Sequence, residues 1–273
     1  MILGLQARSI VGLGFVGLFV MFIQHHWFGF FVYPYLNWSI SVNTLVRFWP
    51  LFAYAGVGAI LSSLSLHSTE SDTEIFLYGV LTSVLAGIRE ELGFRWLFIC
   101  TSMIGLMVSN WFLGTLGGSI FIILILALGV ISLGLGLGER SVTTTLGGVA
   151  LTVMGSLLGY AIWYLGYNDP VYWLWRTILL PITDVLSFGY LTDILHSRTI
   201  PTLFMFGALA ANVRFRDGHK YQGIQGMVNA WYVGLVLLYA TITYGLGTAI
   251  VLHVLYDLEI DTIRFVARKV VDR

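Results

Sequence analysis

Four ionisable residues, Arg89, Glu90, Glu91 and Arg95, fall within seven positions of an otherwise uncharged apolar stretch. Inside a bilayer each costs on the order of 2.5–3.5 kcal/mol, so the cluster demands pairing, water or a function. Glu91 and Arg95 are four apart, one helical turn on the same face with the acid N-terminal, the favourable order for an ion pair. Glu90 is turned about 100° from Glu91 and stands five residues from Arg95, so the spacing leaves it without that cation. A carboxylate with no ion-pair partner inside a bundle is suited to take a proton from water as a general base. A four-membered salt-bridge network, or a position near the membrane surface where charge costs little, would use the same residues without chemistry. His253 and Asp257 are also four apart, at the end of an uncharged run that begins at Tyr221. Asp257 can orient the imidazole, both can help hold a water or a metal, or the pair can serve as a polar contact between helices. Asn212 ends the apolar segment Leu203–Ala211 and can donate a hydrogen bond into the bundle. The segment from Arg214 to Lys220 reads as a basic loop.

The elements that must position these groups follow from composition. Of 273 residues, 58% are hydrophobic and 10% charged, against roughly 25% charged in a soluble domain. That excludes an ordinary soluble enzyme and makes lipid the solvent over most of the surface. The apolar runs last too long, and lack the period-two alternation, for barrel strands, so the expected fold is all-α, a polytopic transmembrane helix bundle. At about 20 residues per crossing the length accommodates seven to nine spans, about eight, in one membrane domain over 1–273, with residues 1–66 as accessory N-terminal helices and 74–266 as the core bundle. Spans are predicted near Ser9–Gln24, Phe48–Leu66, Glu74–Trp111, Gly118–Leu137, Thr145–Tyr167, Val171–Leu195, Thr199–Phe215, Gln222–Tyr244 and Gly247–Val266. Glu74–Trp111 is long enough to be two helices or one kinked helix, with Gly93 a weak point. Pro181 should bend its span, and Asp184 beside it needs a partner or water. Trp27, Tyr33, Tyr35 and Trp38 around Pro34 suggest an interfacial aromatic belt. Cys100 is the single cysteine, which removes intramolecular disulfides and a thiolate metal cluster. Fourteen basic and fourteen acidic side chains give zero formal charge and no nucleic-acid signal. Arg214, Arg216 and Lys220 share an expected cytoplasmic side with the C-terminal Arg264, Arg268, Lys269 and Arg273.

On these residues the chain resembles the CAAX protease and bacteriocin-processing family of intramembrane endopeptidases, over roughly Glu74 to Asp257. Glu90, Glu91 and Arg95 match its Glu-Glu-x-x-x-Arg motif, and His253 and Asp257 its His-x-x-x-Asn/Asp motif. At the middle motif, Phe-x-x-x-His, Phe204 is followed at the fourth position by Ala208 and Phe206 by Ala210. Asn212 is the nearest polar substitute there, and His219 lies in the following loop; either could supply the missing hydrogen bond, and neither restores the motif. The resemblance implies cleavage of a membrane-associated protein or prenylated CAAX-like peptide by a glutamate-activated water. Glu90 would be the base, Glu91 with Arg95 the pair that positions it, and His253 a stabiliser of the water or oxyanion. Asp257 would act as a protonated donor or by orienting His253, and Asn212 would supply a hydrogen bond. The lack of a middle histidine makes a catalytically silent membrane scaffold or immunity protein the alternative. No cofactor is required, although the family's metalloprotease label leaves a divalent metal such as zinc open; lipid and a peptide substrate are the expected partners.

Overall fold

The computed structural model describes residues 2–28, 38, 40–63, 73–114, 116–164, 170–196 and 202–271. Among the described residues there is no strand, and the chain is built from helices α1 (Ile2–Phe28), α2 (Val42–Arg47), α3 (Trp49–Ser63), α4 (Thr73–Glu90), α5 (Ile99–Leu113), α6 (Leu116–Gly138), α7 (Val142–Gly159), α8 (Pro170–Leu174), α9 (Leu180–Leu186), α10 (Thr192–Leu195), α11 (Thr202–Gly218), α12 (Gly223–Tyr244) and α13 (Leu246–Val271). Among the described residues, four helical stretches are long and apolar enough to cross a membrane: Phe76–Leu113, Gly118–Gly138, Val142–Trp163 and Lys220–Tyr244. Shorter apolar helices cover Ala7–Val20 and Trp49–Leu61. Large apolar side chains such as Phe15, Phe19, Leu128 and Trp111 are exposed, as expected where the solvent is hydrocarbon. Tyr33, Pro34 and Tyr35 of the expected aromatic belt lie outside the described residues.

The stretch around the acidic pair is one continuous helical run. Between α4 and α5 the chain forms a π-helical segment, Glu91–Phe98, which contains Gly93. The widened turn takes up the irregularity that the length of this stretch predicts, without a break into two helices.

The chain falls into two compact units, one comprising Met1–Ser102 with Gly207–Arg273, the other Met103–Phe206. In the first, Phe48, Leu51 and Ala55 pack with Leu237 and Ala240 of α12 and with Ala249, Leu252 and Tyr256 of α13. Gly245, at φ 98, makes the sharp reversal between α12 and α13, and its N–H bonds to Ala240 O and Thr241 O. This left-handed conformation suits a residue without Cβ. Helix α13 runs antiparallel to α4: Phe265 stacks on Phe76 with centroids 4.3 Å apart, and Ser83 Oγ donates to Asp261 Oδ2 at 2.6 Å. The helices approach tightly at Gly87, where an added Cβ would lie 3.0 Å from Val254 Cγ2 and 3.3 Å from Val254 N. Gly87→Val is therefore expected to lower stability by about 1–3 kcal/mol through overpacking, read as an earlier unfolding midpoint in detergent. An unchanged midpoint would show that α13 yields freely at this contact.

In the second unit, Leu113, Ile122 and Leu158 form the core, and Trp163 Nε1 donates to Ser119 Oγ at 3.2 Å. The predicted single span Val171–Leu195 is interrupted here. Trp175–Leu179 forms a π-helical turn immediately before Pro181. It contains Thr177, whose carbonyl would meet the proline ring in a regular helix. Helix then gives way to turns at Ser187–Leu191, with Phe188 and Gly189 at positive φ. Asp184 has partners: Thr192 Oγ1 donates to its Oδ1 at 2.5 Å, and His196 Nε2 is 3.7 Å from its Oδ2.

Candidate functional site

The wide turn and the α12–α13 reversal, both in the first unit, bring residues more than 150 positions apart into one cluster. Glu91, fully buried, accepts from His253 Nδ1 through Oε1 at 2.9 Å, and its Oε2 lies 3.5 Å from Arg95 Nε. A carboxylate only accepts, so Nδ1 carries the imidazole proton and Nε2 is left to face the other acids. Nε2 lies 4.0 Å from Glu90 Oε2 and 3.7 Å from Asp257 Oδ2. These separations are too long for direct hydrogen bonds and suit a bridging water.

Two expectations change on this geometry. Glu90 is not without a cation, because Arg89 Nη2 stands 3.5 Å from its Oε1. The carboxylate that orients the imidazole through Nδ1 is Glu91, from another helix, while Asp257 faces Nε2. The i, i+4 spacing along α13 brings Asp257 to the imidazole but leaves open which nitrogen it meets.

Arg95 is 2% exposed. Its guanidinium lies 4.3 Å over the Phe215 ring, and Nη2 donates to Gly234 O at 3.2 Å. Phe215 also packs edge-on to His253, with centroids 5.8 Å apart. Asn212 is buried, with Nδ2 donating to Trp231 O at 3.2 Å. Its side chain adjoins Gly234 and Arg95 rather than the open side of the cluster.

That open side is a cavity of about 480 Å³ lined by Leu13, Arg89, Glu90, Gly93, Phe94, Phe215, Gly218, His219 and Tyr221. Apolar walls with a few convergent polar groups are the usual character of a ligand site. Comparisons with protein-family models, curated proteins and solved structures gave no match.

The residue that the sequence reading left outside the site is His219. Phe215-Arg216-Asp217-Gly218-His219 has the Phe-x-x-x-His spacing that Phe204 and Phe206 lack. These residues lie at the C-terminal end of α11, which stays helical to Gly218 where a basic loop over Arg214–Lys220 is expected, and beyond the apolar run that holds Phe204 and Phe206. His219 Nδ1 is 2.8 Å from Phe215 O, an acceptor, so this nitrogen also carries its proton and Nε2 is the free lone pair. Beside it, hydrogen bonds from Arg216 hold the Asp217 carboxyl below its usual range.

A divalent cation fits this set poorly. Among the described residues no group of three or more His, Cys, Asp and Glu side chains is placed to hold a metal. The donor chemistry agrees: Glu91 is committed to Arg95 and to His253 Nδ1, and a buried guanidinium would repel a second cation beside it.

Proposed function

We propose that this chain is an intramembrane endopeptidase of the CAAX protease and bacteriocin-processing type, hydrolysing a membrane-associated or prenylated peptide with a glutamate-activated water. The observation that carries the reading is that three separated sequence patterns converge. Glu90, Glu91 and Arg95 meet His253 and Asp257, while Phe215 and His219 line the cavity onto which Glu90 opens. The silent-scaffold alternative rests on the lack of a histidine four residues after Phe204 or Phe206, and the Phe215–His219 spacing weighs against it.

In this reading a water between Glu90 and His253 gives a proton to Glu90 as its oxygen bonds to the scissile carbonyl carbon. The tetrahedral oxyanion is met by Nε2 of His253 or of His219, each in its protonated, donating form. The C–N bond then breaks, and the leaving amine takes the proton from Glu90, which returns as carboxylate. Glu91 and Arg95 act on His253 from the buried side. The four apolar stretches, the shorter helices Ala7–Val20 and Trp49–Leu61, and α11 and α13 together make the eight crossings of this reading, with the basic end of α13 in the cytoplasm.

The test is cleavage of a prenylated peptide and a set of bacterial lipopeptides by the protein in nanodiscs. His219→Ala is expected to lower kcat by about 10²-fold or more, the usual range for loss of an acid, base or oxyanion group. Absence of cleavage across the set, or a His219→Ala rate equal to wild type, would count against the proposal.

A further inference from the structure

Arg95 is seated on α12 as well as on Glu91. Its Nη2 donates to Gly234 O, and Asn212 Nδ2 donates to Trp231 O, three residues earlier on the same helix. Arg95 Nη1 and Asn212 Oδ1 are buried without a hydrogen-bond partner. The two side chains meet over Gly234, where a Cβ would fall onto Asn212 Oδ1 and within 3.1 Å of Arg95 Nη2. A Cβ there would also come 3.0 Å from Phe215 Cδ1, the ring on which the guanidinium lies. The guanidinium is a rigid plane, so fixing one edge on a carbonyl and one face on a ring fixes the direction in which Nε meets Glu91.

We infer that Gly234 and Asn212 are positioning residues: they form a seat for Arg95 that aims Glu91 at His253 Nδ1 and so turns His253 Nε2 toward Glu90. Neither residue touches the cavity. Gly234 belongs to none of the motifs, and Asn212, expected from sequence to bond within the reaction site, acts instead through Arg95. The effect on hydrolysis rests on the peptidase reading; the effect on the imidazole does not.

The experiment is nitrogen-15 NMR of histidine-labelled protein in nanodiscs, alongside peptide hydrolysis, with the His253 signal assigned by its loss in His253→Gln. Wild type should show the low-field Nδ1 proton of an imidazole bonded to a carboxylate. Gly234→Ala should lose or shift it and, by misplacing the pair, lower kcat by about 10- to 100-fold with KM within about twofold. Gly234→Ala combined with Asn212→Ala removes the oxygen that the new methyl group strikes but also the side chain that completes the seat, and should recover the signal and the rate only in part. Asn212→Asp adds almost no volume but sets a second carboxylate beside Arg95, and should also shift the His253 signal. The seat is overturned if Gly234→Ala and Asn212→Asp both keep the wild-type imidazole signal, or if the double variant recovers nothing over Gly234→Ala. Signal changes as described, in a protein whose wild type cleaves nothing, would refute the peptidase reading and leave the seat standing.

Discussion

On the proposed peptidase reading, replacing Glu90 by glutamine is expected to reduce peptide hydrolysis by about 10²- to 10⁴-fold, the range for loss of a general base, while leaving the protein folded. Glutamine keeps the volume and the hydrogen-bonding length but cannot take a proton from water. Stability should change by less than about 1 kcal/mol, because the lost ion pair to Arg89 is partly exposed, with the two side chains 38% and 21% accessible. The contrast between a large kinetic and a small thermodynamic effect is what separates a base from a structural carboxylate. Arg89→Gln is the matching control: it breaks the same pair from the other side and keeps the base. Initial rates and unfolding midpoints on the same preparations decide the matter. A Glu90→Gln variant that cleaves at the wild-type rate removes Glu90 from the proposed reaction.

Arg95→Met is expected to have the largest effect on stability, a loss of about 3–5 kcal/mol, because it strands a buried carboxylate. Glu91 is 0% and Arg95 2% exposed, so water cannot replace the missing guanidinium. Full burial of a methionine side chain contributes no more than about 1.5–3 kcal/mol, and the arginine stem already supplied part of that. The electrostatic loss therefore wins. The double variant Glu91→Gln with Arg95→Met leaves no stranded charge and should lie within about 1.5 kcal/mol of wild type, since a buried pair is often replaceable by neutral groups of similar size. Unfolding in mixed micelles of a mild detergent and dodecyl sulfate measures both. A single variant no less stable than the double would mean that the two charges are not coupled.

The two predictions draw on information that the sequence carries unequally. Charge was legible because it is scarce: in a chain with so few ionisable groups, Glu90, Glu91, Arg95, His253 and Asp257 stand out against apolar helix, and i, i+4 spacing pairs Glu91 with Arg95 without coordinates. The helical fold was equally open, since long apolar runs without alternation leave few options. Partners contributed by other helices were not legible. Nothing local to Glu91 says that His253 Nδ1 is its acceptor's donor, and nothing local to Asn212 says that its neighbour is Arg95. Helix interruptions escaped for a different reason. Pro181 marks strain, but whether a helix bends, widens or stops depends on what packs around it, and here it widens at Trp175–Leu179 and stops at Ser187. The spacing of Phe215 and His219 is legible in the sequence, but nothing local to it shows that Phe215 lies against Arg95 and His253.

The π-helical segment Glu91–Phe98 also acts as a phase adjuster. Each residue of an α-helix advances the side chain by about 100°, so a single residue gained or lost resets every position beyond it by that angle. Upstream of the segment, α4 must turn Gly87 toward α13; downstream, α5 must keep Ile99 and Cys100, both fully buried, away from lipid. The wide turn lets the two halves satisfy these demands independently. Removing one residue from within it to restore a regular helix would leave every side chain chemically intact yet rotate one half against the other, so that either the acids face hydrocarbon or the core of α5 does. The register of this helix, as much as the identity of its charged residues, is therefore under constraint.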